Sequence, residues 1–131
     1  MTKVFDMPNT AMYIRPMLSK ELVAASTVPL VLSVLTEGEN YGYALIQRVV
    51  ELSDGKIAWT EGMLYPVLHW MEEQKMVESE WKTEGGRKRK YYRLRQEGRK
   101  ALAREQQQWM TVHSTLTKLW KTKNALTLSS L

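Results

Sequence analysis

The chemistry in this chain is concentrated in one run of cations. Arg87, Lys88, Arg89 and Lys90 stand side by side directly after Gly85-Gly86, and no acid interrupts them. Four adjacent positive charges beside a glycine turn suit a polyanion, because phosphates are held by charge without demanding exact placement of each side chain. From Lys82 to Arg104 ten Lys or Arg face only Glu84 and Glu97, so this stretch carries +8 while the whole 131-residue chain carries +5. The remainder is mildly acidic, and a local basic patch on such a background is the charge footprint of a nucleic-acid binder. The competing reading is a solvated hairpin whose charges only oppose edge-to-edge pairing.

A second group of polar and aromatic residues falls where helices begin. Tyr41 and Tyr43 open one helix, whose first N–H groups can face a phosphate; one of the two is expected to pack inside and the other to face DNA. Glu61, Met63, Tyr65 and His69 lie on the exposed side of the next helix. The Tyr65 hydroxyl suits a phosphate and His69 a backbone oxygen. Glu61 can accept from a cytosine amino group, and Met63 can touch a thymine methyl. This helix has no Arg, Lys, Asn or Gln before Gln74, so the commonest readers of guanine and adenine are absent. Shape and hairpin contacts are therefore expected to supply much of the specificity. Glu72 reads as structural, paired with a hairpin arginine.

Other chemistries find no support. With no cysteine and two histidines, His69 and His113, the sequence offers no thiol catalysis and no convincing metal cage. It holds no paired carboxylates in an apolar setting, no nucleophile motif and no phosphate-cradling glycine loop, so neither an enzyme nor a cofactor is expected. The uncharged stretch Leu22 to Thr36 falls short of a bilayer span, and Asp6, Pro8, Asn9 and Arg15 break any signal-like apolar run. A cytoplasmic protein that does not meet the membrane is the expectation. A hydrophobic content of 44% is ample for one core.

The elements that must position these residues follow from periodicity and punctuation. Residues 1–18 lack a period and read as an arm. Ser19 caps a first helix in which Pro29 predicts a kink, or a fresh start capped by Thr27. Thr36 to Asn40 is a turn, Asn40 caps a helix over Tyr41–Leu52, and Ser53-Asp54-Gly55 ends it. Ile57-Ala58-Trp59 is an extended link. Thr60 and Glu61 start a third helix reaching about Gln74, which the apolar spacing of Leu64, Leu68 and Met71 carries through Pro66 with a bend. Val77 to Lys82 and Arg87 to Leu94 alternate as two strands around Glu84-Gly85-Gly86. Gln96 to about Lys121 forms one long helix with Trp109, Val112, Leu116 and Leu119 spaced 3, 4 and 3, a heptad seam that calls for a second copy of the chain. The fold class is mainly α with a small β-hairpin: a winged helix-turn-helix over 19–95, a dimerisation helix over 96–121 and a flexible tail over 122–131. In that architecture the third helix enters the major groove of duplex DNA and the hairpin is the wing.

Asn40-Tyr41-Gly42-Tyr43, Gly62-Met63-Leu64-Tyr65-Pro66-Val67-Leu68, Glu72, Val77-Glu78-Ser79-Glu80-Trp81, Arg89-Lys90-Tyr91-Tyr92-Arg93-Leu94 and Gly98 occur in this order. Together they resemble the PadR family of bacterial transcriptional regulators, over roughly Leu18 to Trp120. The resemblance implies a homodimeric winged-helix repressor on a pseudo-palindromic operator, relieved by a small aromatic or hydrophobic effector. It resembles most the short form, in which a tryptophan on the last helix lines a flat pocket at the dimer centre. Trp109 matches that position, with Met17, Leu18 and Val112 as the remaining walls. Leu102, Trp109, Val112, Leu116, Leu119 and Trp120 are the expected dimer face. Three departures stand out. Lys75 replaces a usual glycine, which is expected to loosen the turn after the third helix. Arg95 replaces a capping threonine, and the arm is long. The alternative reading is a winged-helix protein that works mainly through protein contacts, motivated by the acidic, reader-poor third helix.

Overall fold

The computed structural model describes residues 18–129, with side chains as far as Lys121. In chain order the elements are α1 (Lys20–Leu35), β1 (Asn40–Tyr41), α2 (Gly42–Leu52), α3 (Glu61–Glu73), β2 (Val77–Glu84), β3 (Arg87–Leu94) and α4 (Gln96–Ser129). Two helix starts follow from side-chain caps. The Ser19 hydroxyl accepts from the Leu22 N–H at 3.1 Å, and the Thr60 hydroxyl accepts from the Met63 N–H at 3.1 Å. Neither internal proline ends its helix. Thr27 does not begin a new segment; its hydroxyl donates to the Val23 carbonyl at 2.7 Å within a continuous α1. The carbonyls deprived of a donor by Pro29 and Pro66 belong to Ala25 and Gly62, both on exposed residues. Beyond each proline, Val31 and Leu32 of α1, and Leu68 and Met71 of α3, are fully buried. Core packing therefore holds both helices together against local propensity.

The entry to α2 departs from the expected cap. Asn40 and Tyr41 are extended and pair with Tyr92 and Tyr91, so β1 joins the hairpin in an antiparallel sheet of order β1-β3-β2. The Asn40 amide oxygen turns to the adjacent Tyr41 N–H at 3.0 Å. Tyr41 takes the cap position without a side-chain hydrogen bond, which leaves the first N–H groups of α2 without side-chain caps. The hairpin itself closes through two residues. Glu84 pairs with Arg87, and Gly85 and Gly86 carry φ of +55° and +77°, the doubly left-handed turn that matches the twist of paired strands.

Lys75 does not loosen the end of α3. It adopts φ +63°, its N–H donates to Glu72 O at 3.0 Å, and the Met76 N–H donates to Met71 O at 2.9 Å. This is a complete Schellman closure built on a lysine where glycine is the unstrained choice. The Met76 carbonyl then accepts from the Arg95 N–H at 2.9 Å. The Arg95 carbonyl takes the first helical bond of α4, from the Arg99 N–H at 3.1 Å. Gly98 lies directly against this joint: a Cβ there would sit 2.1 Å from the Met76 carbonyl oxygen.

Trp59, Val77, Tyr92, Ala101 and Leu102 complete a core centred on Val31, Leu32, Leu45, Leu64, Leu68 and Met71. Leu102, expected on the dimer face, is 8% exposed within this core, because the first turns of α4 pack back on the domain. The far end also differs. Helix α4 runs to Ser129, through most of the stretch expected as a tail, since nothing between Lys121 and Ser129 is glycine or proline.

Two substitutions test these joints by thermal unfolding. Gly98→Ala places a methyl against a fixed backbone oxygen and is expected to destabilise by roughly 2 kcal/mol or more. Lys75→Gly removes left-handed strain and is expected to stabilise by about 0.5–1 kcal/mol, raising the midpoint by a few degrees.

Candidate nucleic-acid interface

Between α3 and the hairpin lies a cleft of about 880 Å³. Its walls are Tyr41 and Tyr43 from the start of α2, Glu61, Tyr65 and His69 from α3, and Arg87, Lys88, Arg89 and Lys90 from β3. Every residue expected to meet DNA is thus brought to one place except Met63, which is half-exposed on α3 outside the lining. Trp81 and Tyr92 line it as well, and sequence reasoning missed both. Their strand alternation was legible, but only the pairing register turns them toward α3.

Tyr65 owes its place to Gly42. A Cβ at residue 42 would lie 2.7 Å from the Tyr65 hydroxyl and 2.9 Å from its ring carbons, so the missing side chain is the seat of the ring. Burial, reinforced by Glu61, raises the Tyr65 phenol above its ordinary range; it stays protonated at neutral pH and keeps a proton to donate. Behind it Tyr92 is buried, and that burial, followed by Glu72 and Tyr65, pushes its phenol up to about 12. Neither Tyr41 nor Tyr43 enters the core. Tyr43 is 53% exposed. Tyr41 stacks edge-on against Tyr91 at 5.3 Å between centroids, with the Arg89 guanidinium 4.5 Å over its ring. Strand β1 holds Tyr41 on the sheet and so prevents its burial.

The four adjacent cations are not equivalent. Lys90 lies 3.7 Å from Glu72, which also accepts a 2.6 Å hydrogen bond from the Ser79 hydroxyl; the partner of Glu72 is a lysine rather than the expected arginine. Arg89 lies 3.9 Å from Glu84, a weak contact, and Glu84 also accepts from the Tyr91 hydroxyl. Among the described residues neither Arg87 nor Lys88 has a carboxylate partner, and the Lys88 ammonium rests 5.7 Å over the Trp81 ring. The two cations without a carboxylate partner are thus the two nearest the turn.

The hairpin's base is charge-balanced. Arg93 pairs with Glu80 at 2.9 Å, Glu78 at 3.0 Å and Glu39 at 3.7 Å, and Lys82 hydrogen-bonds Glu39. That bond to Lys82 is the main reason the Glu39 carboxyl sits below its ordinary range. On α3, His69 stands 3.2 Å from Glu73.

Helix α4 forms a separate, shallow groove of about 300 Å³ with α1, where Trp109 and Met110 face Pro29 and Leu30. The Trp109 indole donates to Glu105 at 3.2 Å. Leu18 and Val112, expected beside Trp109, do not line this groove, and Met17 lies outside the described residues. Beyond it, Val112, Leu116, Leu119 and Trp120 remain exposed along the helix.

Comparison with known proteins places these features in context. The profile of the family described as "Transcriptional regulator PadR-like family" matches residues 31–104, which span β1 to β3 together with the end of α1 and the start of α4. A PadR family transcriptional regulator from Eggerthella lenta is 38% identical, with a TM-score of 0.64 over 76% of this chain and 85% of its own. A PadR-like transcriptional regulator from Bacillus cereus is 29% identical, with a TM-score of 0.68 over 76% and 96%. A transcriptional regulator from Clostridium thermocellum shares the fold at 24% identity, with a TM-score of 0.71 over 78% of this chain and 97% of its own.

The seat of Tyr65 can be tested by a double-mutant cycle. Gly42→Ala is expected to destabilise by about 0.5–1.5 kcal/mol, because the ring must move. In a Tyr65→Ala background the same change is expected to be neutral or stabilising, since alanine is the better helix former. Urea unfolding of the four proteins measures both.

Proposed function

This chain belongs to the PadR-like family of transcriptional regulators, and from that premise we propose that it is a homodimeric repressor of a pseudo-palindromic operator in duplex DNA. The observation that carries the reading is the cleft in which uncompensated Arg87 and Lys88 share walls with Tyr43, Tyr65 and His69. Two copies of α3 enter successive major grooves, and the wings grip the flanking phosphates. The Tyr65 hydroxyl donates to one phosphate, and the uncapped start of α2 faces another. Residues 19–95 read DNA, and the helix from 96 pairs the copies along Trp109, Val112, Leu116, Leu119 and Trp120. Their exposure on a single chain supports that pairing; Leu102 no longer belongs to the set. The protein works in the cytoplasm and catalyses no reaction.

The groove beside Trp109 is the place for a small aromatic or hydrophobic effector. It joins α1 of the winged domain to the pairing helix, so a molecule lodged there changes the spacing of the two reading heads and thereby DNA affinity. A second reading, action mainly through protein contacts, draws on Glu61, Glu72 and Glu73 along a helix without guanine or adenine readers.

Selection of bound duplexes from a randomised pool, at two salt concentrations, separates the readings. An enriched palindrome with steeply salt-dependent affinity is expected; no binding at low salt would leave the protein-contact reading. On the selected duplex, Arg87→Ala with Lys88→Ala is expected to make the log–log salt slope shallower by ~1.8 per wing engaged, at about 0.9 for each phosphate left without its cation. Arg89→Ala with Lys90→Ala is expected to change it less, because those cations have carboxylates nearby.

A further inference from the structure

We propose that Trp81 is a DNA-contacting residue of the wing, an apolar platform that lies against deoxyribose rings of the strand whose phosphates the wing cations hold. The inference rests on the DNA reading above and adds to it a contact that is neither a charge nor a base-edge hydrogen bond.

The register of the hairpin places this side chain. Val77, Ser79 and Trp81 alternate onto one face of β2, opposite Leu94, Tyr92 and Lys90 of β3. That face looks toward α3: Val77 and Tyr92 are buried, and the Ser79 hydroxyl reaches Glu72. Two residues further out the core has ended, so Trp81 continues the same face beyond its edge. It is 59% exposed, the most of the five tryptophans, and it lines the cleft with Tyr65 and His69.

What surrounds Trp81 selects its occupant. Its cross-strand partner is Lys90, and the Lys88 ammonium lies 5.7 Å over its ring. Arg87 lines the same cleft. A protein partner with an apolar patch would leave these cations desolvated and unpaired. A DNA strand matches both features, since its sugars present apolar faces between regularly spaced phosphates. Lys88 can move from the indole to a phosphate, which exposes the ring to the sugar beside it. A platform of this kind is indifferent to base identity, which suits a wing that flanks the half-site.

The test is the affinity of the full chain for its selected duplex over a salt series, with Trp81→Ala, Trp81→Phe and Lys88→Ala compared at equal helicity by circular dichroism. Trp81→Ala is expected to weaken binding roughly five- to twenty-fold at every salt concentration, with the salt slope unchanged. Trp81→Phe is expected to retain most of the affinity. Lys88→Ala is expected to flatten the slope by about 0.9 per wing. Unaltered binding by Trp81→Ala overturns the inference and leaves the DNA reading intact. A weakening by Trp81→Ala that flattens the slope as Lys88→Ala does also overturns it, and makes Trp81 a positioning residue for Lys88. An unsubstituted chain that binds no duplex overturns the DNA reading and this inference together.

Discussion

The Met76 backbone ends one helix and seats another. Its N–H closes the last turn of α3 on Met71, and its carbonyl receives the Arg95 N–H and lies against Gly98. Between these bonds the chain leaves α3, runs out along the wing and returns. The orientation of α3, the root of the hairpin and the departure of α4 are thus coupled through one residue. This explains why a lysine is kept in a left-handed conformation just before it, and why the glycine that follows in α4 has no room for a methyl. Helix α1, which supplies much of the core, then fills the space behind the joint.

Around that joint the charges are graded. Arg93 near the hairpin's base and Lys82 further out are matched by Glu39, Glu78 and Glu80, so these cations project little field. In the middle Arg89 and Lys90 face Glu84 and Glu72. At the tip Glu84 turns back to Arg89 and Tyr91, and Arg87 and Lys88 have no carboxylate partner among the described residues. Such a gradient concentrates attraction where a polyanion would first arrive, and keeps the remainder from self-repulsion. Tyr41, Tyr91 and Tyr92 sit among these charges, their rings carrying cations.

Much of this was legible in the sequence wherever one residue acts on its neighbours. Ser19 and Thr60 announced two helix starts, Gly85-Gly86 announced the turn, and the apolar spacing of Leu64, Leu68 and Met71 carried α3 through Pro66. The failures share the opposite property. Asn40 has the side chain of a cap, but its partner Tyr92 lies far along the chain, and a two-residue strand has no period to read. Trp81 alternates like any strand residue, and only its register shows the core stopping short of it. Leu102 fits an amphipathic helix whether that helix faces its own domain or another copy. Lys75 breaks a rule of turn chemistry, and the local closure on Met71 and Glu72 together with the long-range bond from Arg95 to Met76 holds it in place despite the strain. The site residues were more legible than their partners, because charge and aromaticity are local while pairing is not.

Among the described residues, helix α4 packs on the domain only through its first half. At 1.5 Å per residue, Lys121 stands about 35 Å from Gly98 along the axis. Rotation of a few degrees about that glycine therefore sweeps the far end through about 2–3 Å, comparable to half a strand spacing. The helix acts as a lever arm whose fulcrum is a backbone-to-glycine contact, with Trp109 nearly half way along it. Mechanical advantage of this kind works in both directions. A small wedge near the fulcrum becomes a large displacement at the tip, and a firm grip on the tip becomes strong leverage on α3.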